Sequence, residues 1–184
     1  MVLMASIAVS KTEGPGSNPG TPATIHIAET TEQFGLVADL FVEYMLDLKA
    51  DPQAQHLPLQ KIRKDLDRLR ENFVPPKGRL WIATQGAQTV GCVSLRTFRN
   101  RTCEMKRLYV REAFRGFDIG TLLVEGCVDY AKANNFVLVR LATTPSMKPA
   151  ISLYNSQGFR EGPPWRRRNI EGYVFMTLAL KQRA

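Results

Sequence analysis

Long apolar runs are missing from this sequence of 184 residues. No stretch approaches the roughly 20 apolar residues that a membrane-spanning helix needs. The opening residues, MVLMASIAV, are apolar but lack the basic segment of a signal peptide, so we expect no secretion signal. The sequence therefore predicts a cytoplasmic protein without a membrane partner.

Cysteine and histidine are scarce. The three cysteines, Cys92, Cys103 and Cys127, are scattered and odd in number, so they match neither a disulfide framework nor a zinc spacing. They are typical of a protein from a reducing compartment. The two histidines fall in the first predicted strand (His26) and in a polar loop (His56). We therefore expect no metal site and no covalent Cys–His catalysis.

Two common phosphate-binding signatures are also absent. No G-K-[S/T] follows a glycine loop, which excludes a P-loop, and no G-x-G-x-x-G is present, which excludes the dinucleotide fingerprint. Positive charge is abundant, with 25 Lys and Arg against 17 Asp and Glu, and a formal net charge of +8 attracts anions. Apart from Trp165–Arg168, the basic residues are spread along the chain, so we expect no dedicated nucleic-acid surface.

The hydrophobic pattern predicts an α/β (α+β) fold in one domain. Residues 1–23 are expected to form a flexible leader, because 11–23 are rich in Gly, Pro, Ser and Thr, and residues 24–184 form the domain. The order of elements is β-α-α-β-β-β-α-β-α-β-β. Such an order packs as a mixed, mostly antiparallel sheet of about six to seven strands with helices on both faces.

Three local features are predicted within that order. Thr30 and Gln33 form a capping box ahead of the first helix. The apolar stripe from Leu59 to Phe73 forms the second helix, whose other positions are read as a solvated face. Ser146 caps a short helix near the C-terminus.

The segment FRGFDIGTLL, Phe114–Leu123, joins a predicted strand to a predicted helix. The first amides of a helix lack intrahelical partners, so they bind phosphate groups readily. Gly116 and Gly120 allow a ligand to approach the backbone, and Arg115 adds a charged donor. A turn that uses glycine only for its geometry stays open as the alternative.

Three motifs resemble the GCN5-related N-acetyltransferase (GNAT) family, over about residues 24–181. The loop from Arg115 to Gly120, after a strand ending in L-Y-V, is similar to motif A, [Q/R]-x-x-G-x-[G/A], but has Asp118 where the family usually has glycine. The segment AISLYNSQGF is similar to A-x-x-L-Y-x-x-x-G-F, with Met147 where the family often has asparagine. CEMKRLYV has the family's glutamate four residues before the cofactor-binding part of the strand.

The resemblance implies a binding site for acetyl-CoA. In the family, the loop amides bind the diphosphate, and the strand backbone pairs with the pantetheine arm much as an added strand would. An amide near Val110 would polarise the thioester carbonyl. The implied cofactor-binding residues are Leu108, Tyr109, Val110, Arg115, Gly116, Phe117, Asp118, Ile119, Gly120 and Thr121.

The resemblance also implies two catalytic residues. Glu104 is the expected general base for the amine, and the alternative is a glutamate paired with Lys106 or Arg96 on the strand face. Tyr154 is the expected general acid for the departing thiolate, and the alternative is a half-buried aromatic. Transfer is expected to be direct, in a ternary complex without an acyl-enzyme.

The acceptor is less defined. Trp165–Arg168 could form an anion-binding wall of the acceptor pocket or a solvated loop, and Phe41 and Tyr44 could line that pocket or belong to the core. The favoured function is an acetyl-CoA-dependent N-acetyltransferase acting on a small-molecule or peptide amine. A non-catalytic acyl-CoA sensor and a basic nucleic-acid-binding protein are the alternatives, and a homodimer stays open.

Overall fold

The structure is a computed structural model that describes residues 7–8, 22–50, 59–165 and 172–181. The strands are β1 (Ile7–Ala8), β2 (Thr24–Ile27), β3 (Gly78–Gln85), β4 (Gln88–Phe98), β5 (Thr102–Val110), β6 (Leu138–Thr143), β7 (Arg160–Glu161) and β8 (Val174–Ala179). The helices are α1 (Thr31–Ala50), α2 (Leu59–Asp67), α3 (Leu69–Phe73), α4 (Ile119–Ala133) and α5 (Lys148–Ser156). A short 3-10 turn, Glu112–Phe114, precedes α4.

The described strands form one sheet in the order β1-β2-β3-β4-β5-β6-β8-β7. Neighbouring strands are antiparallel except β5 and β6, which are parallel. The predicted mixed, mostly antiparallel sheet is therefore confirmed. β1 and β7, at the two edges, have only two residues each.

Helices cover both faces of the sheet, as predicted. Because side chains alternate along a strand, β3 contributes to two separate hydrophobic clusters. Leu80 and Ile82 pack with buried residues of α1 and α3, whereas Trp81 and Ala83 pack with buried residues of α4. The central strands are thus buried from both sides, which gives the site a rigid support.

The predicted capping box at the start of α1 is present. The side-chain oxygen of Gln33 accepts hydrogen bonds from the amides of Glu29 and Thr30, at 2.8 and 3.0 Å. The Thr30 hydroxyl accepts one from the amide of Gln33 at 3.2 Å. These bonds satisfy donors that the first turn of a helix otherwise leaves without partners.

The stripe from Leu59 to Phe73 forms two helices rather than one, which corrects the prediction. The backbone leaves the helical region at Arg68, with φ −126° and ψ 35°. On one side of this break Asp65 contacts β5, and on the other Leu69 and Phe73 are buried beside α1. One straight helix would have to serve both sets of contacts with a single face.

The predicted cap at Ser146 is wrong. The helix begins at Lys148, and no side chain caps it. The Ser146 hydroxyl instead lies 2.8 Å from the Thr144 hydroxyl, so a local side-chain contact replaces the cap. Pro149 sits in the first turn, where its missing N–H costs no helical bond.

Candidate active site

A cleft opens in the middle of the sheet, between β5 and β6. The two strands are paired only at Thr102–Cys103–Glu104, opposite Leu138–Val139–Arg140. β5 runs on to Val110, but no further residue of β5 pairs with β6. The remaining backbone of β5 therefore faces a gap in which an extended ligand can take the place of a strand.

A bulge in β5 accompanies this separation. The register with β4 shifts between Cys92 and Ser94, so that one residue of β4 opposes two of β5. Arg107 in the bulge has φ +57°. A bulge disturbs the alternation of side chains, which allows neighbouring residues to reach the same side of the sheet.

The loop before α4 presents backbone rather than side chains. Gly116 has φ +86°, and a Cβ there would meet nothing within 4 Å, so its role is conformational. The first intrahelical bond runs from the amide of Leu122 to the carbonyl of Asp118, and the amides between them lack helical partners. Anions bind at such a helix start.

Gly120 packs closely against a neighbouring helix. A Cβ at this position would lie 3.1 Å from Cδ2 of Leu153 in α5. The glycine therefore permits close packing of α4 against α5. Phe117, in the same loop, is 46% exposed, and Ile119 is buried in the core. Thr121 follows in the first turn of α4.

Asp118 occupies the N-cap of α4 in the left-handed conformation, with φ 58° and ψ 9°. Its carboxylate makes no capping hydrogen bond. A left-handed backbone suits glycine, and aspartate tolerates it better than most residues. This geometry gives a physical reason for the glycine that the resembling motif carries here.

Arginines tie the loop to α1. Arg115 donates to the carbonyl of Val110 at 2.9 Å and to Asp47 at 2.8 Å. Arg111 donates to Glu43 at 2.7 Å and to the carbonyl of Thr89 at 2.6 Å. The Arg115 guanidinium also lies 5.9 Å from the centre of the Tyr109 ring. Because its side chain is half exposed, it can still reach an anion at the loop.

A cavity of about 340 Å³ lies where β5 and β6 separate. Its walls come from α1, β4, β5, β6, the loop before α5, α5 and the residue before β8. The lining residues are Tyr44, Leu48, Arg96, Phe98, Glu104, Met105, Lys106, Arg107, Leu108, Leu141, Ala142, Thr143, Thr144, Met147, Ala150, Tyr154 and Tyr173. Glu104 and Tyr154, the two candidate catalytic residues, thus line one cavity.

Glu104 is 4% exposed and lies at the last position of β5 that pairs with β6. Its carboxylate is 3.9 Å from the guanidinium of Arg140, directly across on β6. Arg96 is its neighbour on β4. The ion pair is therefore with Arg140, a partner that the sequence did not indicate. A buried carboxylate at a cavity wall can accept a proton from a bound ammonium group.

Tyr154 is 7% exposed and packs its ring against Phe159 at 5.9 Å. Burial raises the pKa of its hydroxyl, and the nearby Tyr44 and Cys127 add to this. The hydroxyl therefore stays protonated at neutral pH, which is the form a general acid needs.

A buried ion cluster beside the cavity was missed from the sequence. Oδ2 of Asp65 accepts from Nζ of Lys106 at 3.0 Å and from Arg107 at 2.8 Å. Although burial raises it, the charges of Lys106 and Arg107 lower the pKa of Asp65 below its usual value. A signal was available, because Asp65 falls three residues after Ile62 and four before Leu69, on the apolar stripe.

The predicted acceptor wall is only partly within the described residues. Trp165 packs against Phe175 at 4.8 Å and under the guanidinium of Arg140 at 5.1 Å, and it does not line the cavity. Arg166–Arg168 lie outside the described residues. Phe41 is fully buried, whereas Tyr44 lines the cavity.

His26 lies in β2, with its ring 3.4 Å from the Thr84 hydroxyl, and it does not line the cavity. His56 lies outside the described residues. Within the described ranges, no three His, Cys, Asp or Glu side chains come together as a metal site would require. None of the helices described here has the length and apolar character to cross a bilayer.

The model of the acetyltransferase (GNAT) family matches residues 41–159. An uncharacterised N-acetyltransferase from Schizosaccharomyces pombe is 32% identical over 145 residues, 78% of this chain and 86% of that protein. A GNAT acetyltransferase from Staphylococcus aureus has a TM-score of 0.67 at 22% identity, over 85% of this chain and 99% of its own. A streptothricin acetyltransferase from Bacillus anthracis, solved with acetyl coenzyme A, has a TM-score of 0.53 at 20% identity. The match covers 60% of this chain and 67% of that protein.

The chain therefore belongs to the GNAT acetyltransferase family and is an N-acetyltransferase enzyme. The fold of this family binds acetyl-CoA.

Proposed function

We propose that this protein transfers the acetyl group of acetyl-CoA directly to an amine in a ternary complex. The observation that carries the proposal is the shared position of Glu104 and Tyr154, which line one cavity at the separation of β5 and β6. The backbone of Leu108, Tyr109 and Val110, which does not pair with β6, suits the pantetheine arm, and the loop from Arg115 to Thr121 suits the diphosphate.

Glu104 acts as general base in this proposal. It takes a proton from the acceptor's ammonium group, and the free amine nitrogen then attacks the thioester carbon. Tyr154 donates a proton to the thiolate as the carbon–sulfur bond breaks, and the second proton that the acetylated nitrogen loses returns to the Tyr154 phenolate. Each proton transfer supports a rate gain of about 10²–10⁴-fold.

The three cysteines support direct transfer rather than an acyl-enzyme. All three are free and buried. Burial raises the pKa of Cys103 to about 12 and also raises those of Cys92 and Cys127, so none supplies a thiolate at neutral pH. Free buried thiols also suit a reducing compartment, and we expect the protein to act in the cytoplasm.

The test is thiol release from acetyl-CoA over a panel of amines, combined with initial-velocity patterns at varied concentrations of both substrates. Direct transfer predicts intersecting lines, and parallel lines with an acetylated protein would contradict it. Calorimetric binding of acetyl-CoA without turnover of any amine would favour a non-catalytic sensor instead.

A further inference from the structure

The cavity between β5 and β6 is rich in positive charge. Three of its lining residues are cationic, namely Arg96, Lys106 and Arg107. Among the described residues that line it, Glu104 is the single acidic one. No residue of the loop 114–121 contributes to this lining. The cations are therefore separate from the loop that suits a diphosphate, and they are available to a different anion.

Lys106 and Arg107 act as a pair because of the bulge in β5. Consecutive residues of a regular strand point to opposite faces, but both of these side chains reach the same oxygen of Asp65. Both are largely buried, with side-chain exposures of 15% and 14%. Two buried cations thus share one carboxylate, and this excess of positive charge favours an anion in the adjoining cavity.

Two further details concern these cations. Arg107 donates to Asp65 at 2.8 Å, yet its buried Nε meets no partner within the described part of the chain. Burial and the charge of Arg107 lower the pKa of Lys106, while Asp65 and Glu104 oppose this. A carboxylate in the cavity would offset the positive charge of this pair, and a planar guanidinium matches a carboxylate geometrically.

We propose that the acceptor is a small amine that also bears a carboxylate, such as a free amino acid. Its carboxylate lies at Arg107 and Lys106, and its amine faces Glu104. Glu104 and Lys106 are two residues apart on one strand, about 7 Å along β5, which a carboxylate a few bonds from an amine can span. This proposal rests on the proposed function and names its acceptor class.

The size of the cavity favours a small acceptor over a protein. At about 340 Å³ it falls at the small end of the range for small-molecule sites. In a protein the carboxyl group next to the N-terminal amine is part of a peptide bond, and a lysine side chain carries no carboxylate beside its amine. Such acceptors would leave Lys106 and Arg107 without the anion that their burial favours.

The test compares matched substrates in the thiol-release assay. Free L-amino acids, including the acidic ones, are assayed against their carboxamides and against aminoalkylphosphonates of similar length. We expect kcat/KM for the best amino acid to be at least tenfold higher than for its carboxamide. It should also be higher than for the aminoalkylphosphonate of similar length. Equal use of acids and amides overturns the inference, and a preference for phosphonates overturns the choice of carboxylate.

Variants connect the preference to the residues. Arg107→Met should lower the acid-to-amide ratio about tenfold while the KM for acetyl-CoA stays unchanged, and Arg99→Gln, at an exposed turn, is the matched control. An unchanged ratio in a folded Arg107→Met variant overturns the assignment. If the Arg107 variant does not fold, the acid-to-amide ratio of the wild-type enzyme tests the preference for a carboxylate. Absence of turnover with every amine overturns the proposed function and this inference with it.

Discussion

The candidate site has an acetyl-donor side made mainly of backbone groups and an acceptor side made of buried charged side chains. The donor side, from Leu108 to Thr121, is contiguous in sequence, partly exposed, and presents backbone amides and strand edge. The acceptor side is a buried cavity whose charged side chains come from separate elements, with Asp65 of α2 behind Lys106 and Arg107 of β5. A binding site made of backbone groups keeps those groups when one side chain is replaced. A buried charge, in contrast, is destabilised when its partner is removed. Substitutions on the acceptor side should therefore have the larger effects.

The largest effect is expected at Asp65. Asp65→Asn should lower the free energy of unfolding by about 3 kcal/mol, because it leaves two buried cations without their carboxylate. The folded pKa of Asp65 is depressed, so this stability is present above the unfolded value of about 3.9 and is lost as pH falls through the folded pKa. Urea denaturation at pH 7 and below pH 4 measures both. Asp67→Asn, exposed at the end of α2, is the control, and equal effects of the two would contradict the cluster's role.

Tyr154→Phe should lower kcat about 10²-fold with little change in the KM for acetyl-CoA, because it removes a proton donor and almost no volume. Steady-state thiol release measures both constants. Tyr130→Phe is the control, because its hydroxyl bonds Arg79 away from the cavity. Full activity of Tyr154→Phe would remove this residue from the mechanism.

Glu104→Gln should lower kcat/KM about 10²-fold near neutral pH. The loss should shrink as pH rises, because the acceptor amine then loses its proton without a base. A pH profile of kcat/KM is the measurement, with Glu161→Gln on the exposed edge strand β7 as control. A deficit that is equal at every pH would indicate that Glu104 acts only through its ion pair with Arg140.

On the donor side, Arg115→Ala should raise the KM for acetyl-CoA only about fivefold, as suits one partly exposed charged contact of ~1 kcal/mol. Asp47→Asn separates two explanations, because it removes the partner that α1 offers to Arg115. A contact between Arg115 and the diphosphate predicts an unchanged or lower KM in Asp47→Asn. An equal rise in both variants would mean that Arg115 acts by holding the loop.

The smallest effect is expected at Asp118. Asp118→Gly should lower the KM for acetyl-CoA about two- to threefold, because it removes a negative charge from the loop. It should also raise stability by about 0.5 kcal/mol, because relief of a left-handed non-glycine residue outweighs the lost attraction between the charge and the helix dipole. Asp118→Asn removes the charge and keeps a side chain that tolerates this conformation, so it should lower KM without the gain in stability. A large change in kcat would break the contrast between the two sides.

Local patterns predicted most of the fold. The spacing of Thr30 and Gln33 defines a cap that depends on only one turn of helix, and the alternation in RLWIATQ and TVGCVSLRTF defines a hairpin observed as β3 and β4. The sequence did not indicate that Gly120 also packs against Leu153, because Leu153 is far away along the chain. Asp65 was read as part of a solvated face, because its partners lie 41 and 42 residues further along the chain.

By itself, the sequence determined the order of most strands and helices and the loop ahead of α4, because hydrogen bonds and side-chain alternation act over a few neighbouring residues. The tertiary structure decided where β5 separates from β6 and how much positive charge lines the cavity. It also decided the ion pairs, which join Asp65 to Lys106 and Arg107, and Glu104 to Arg140. These depend on long-range contacts, since the energy of a buried charge is set by every group packed around it.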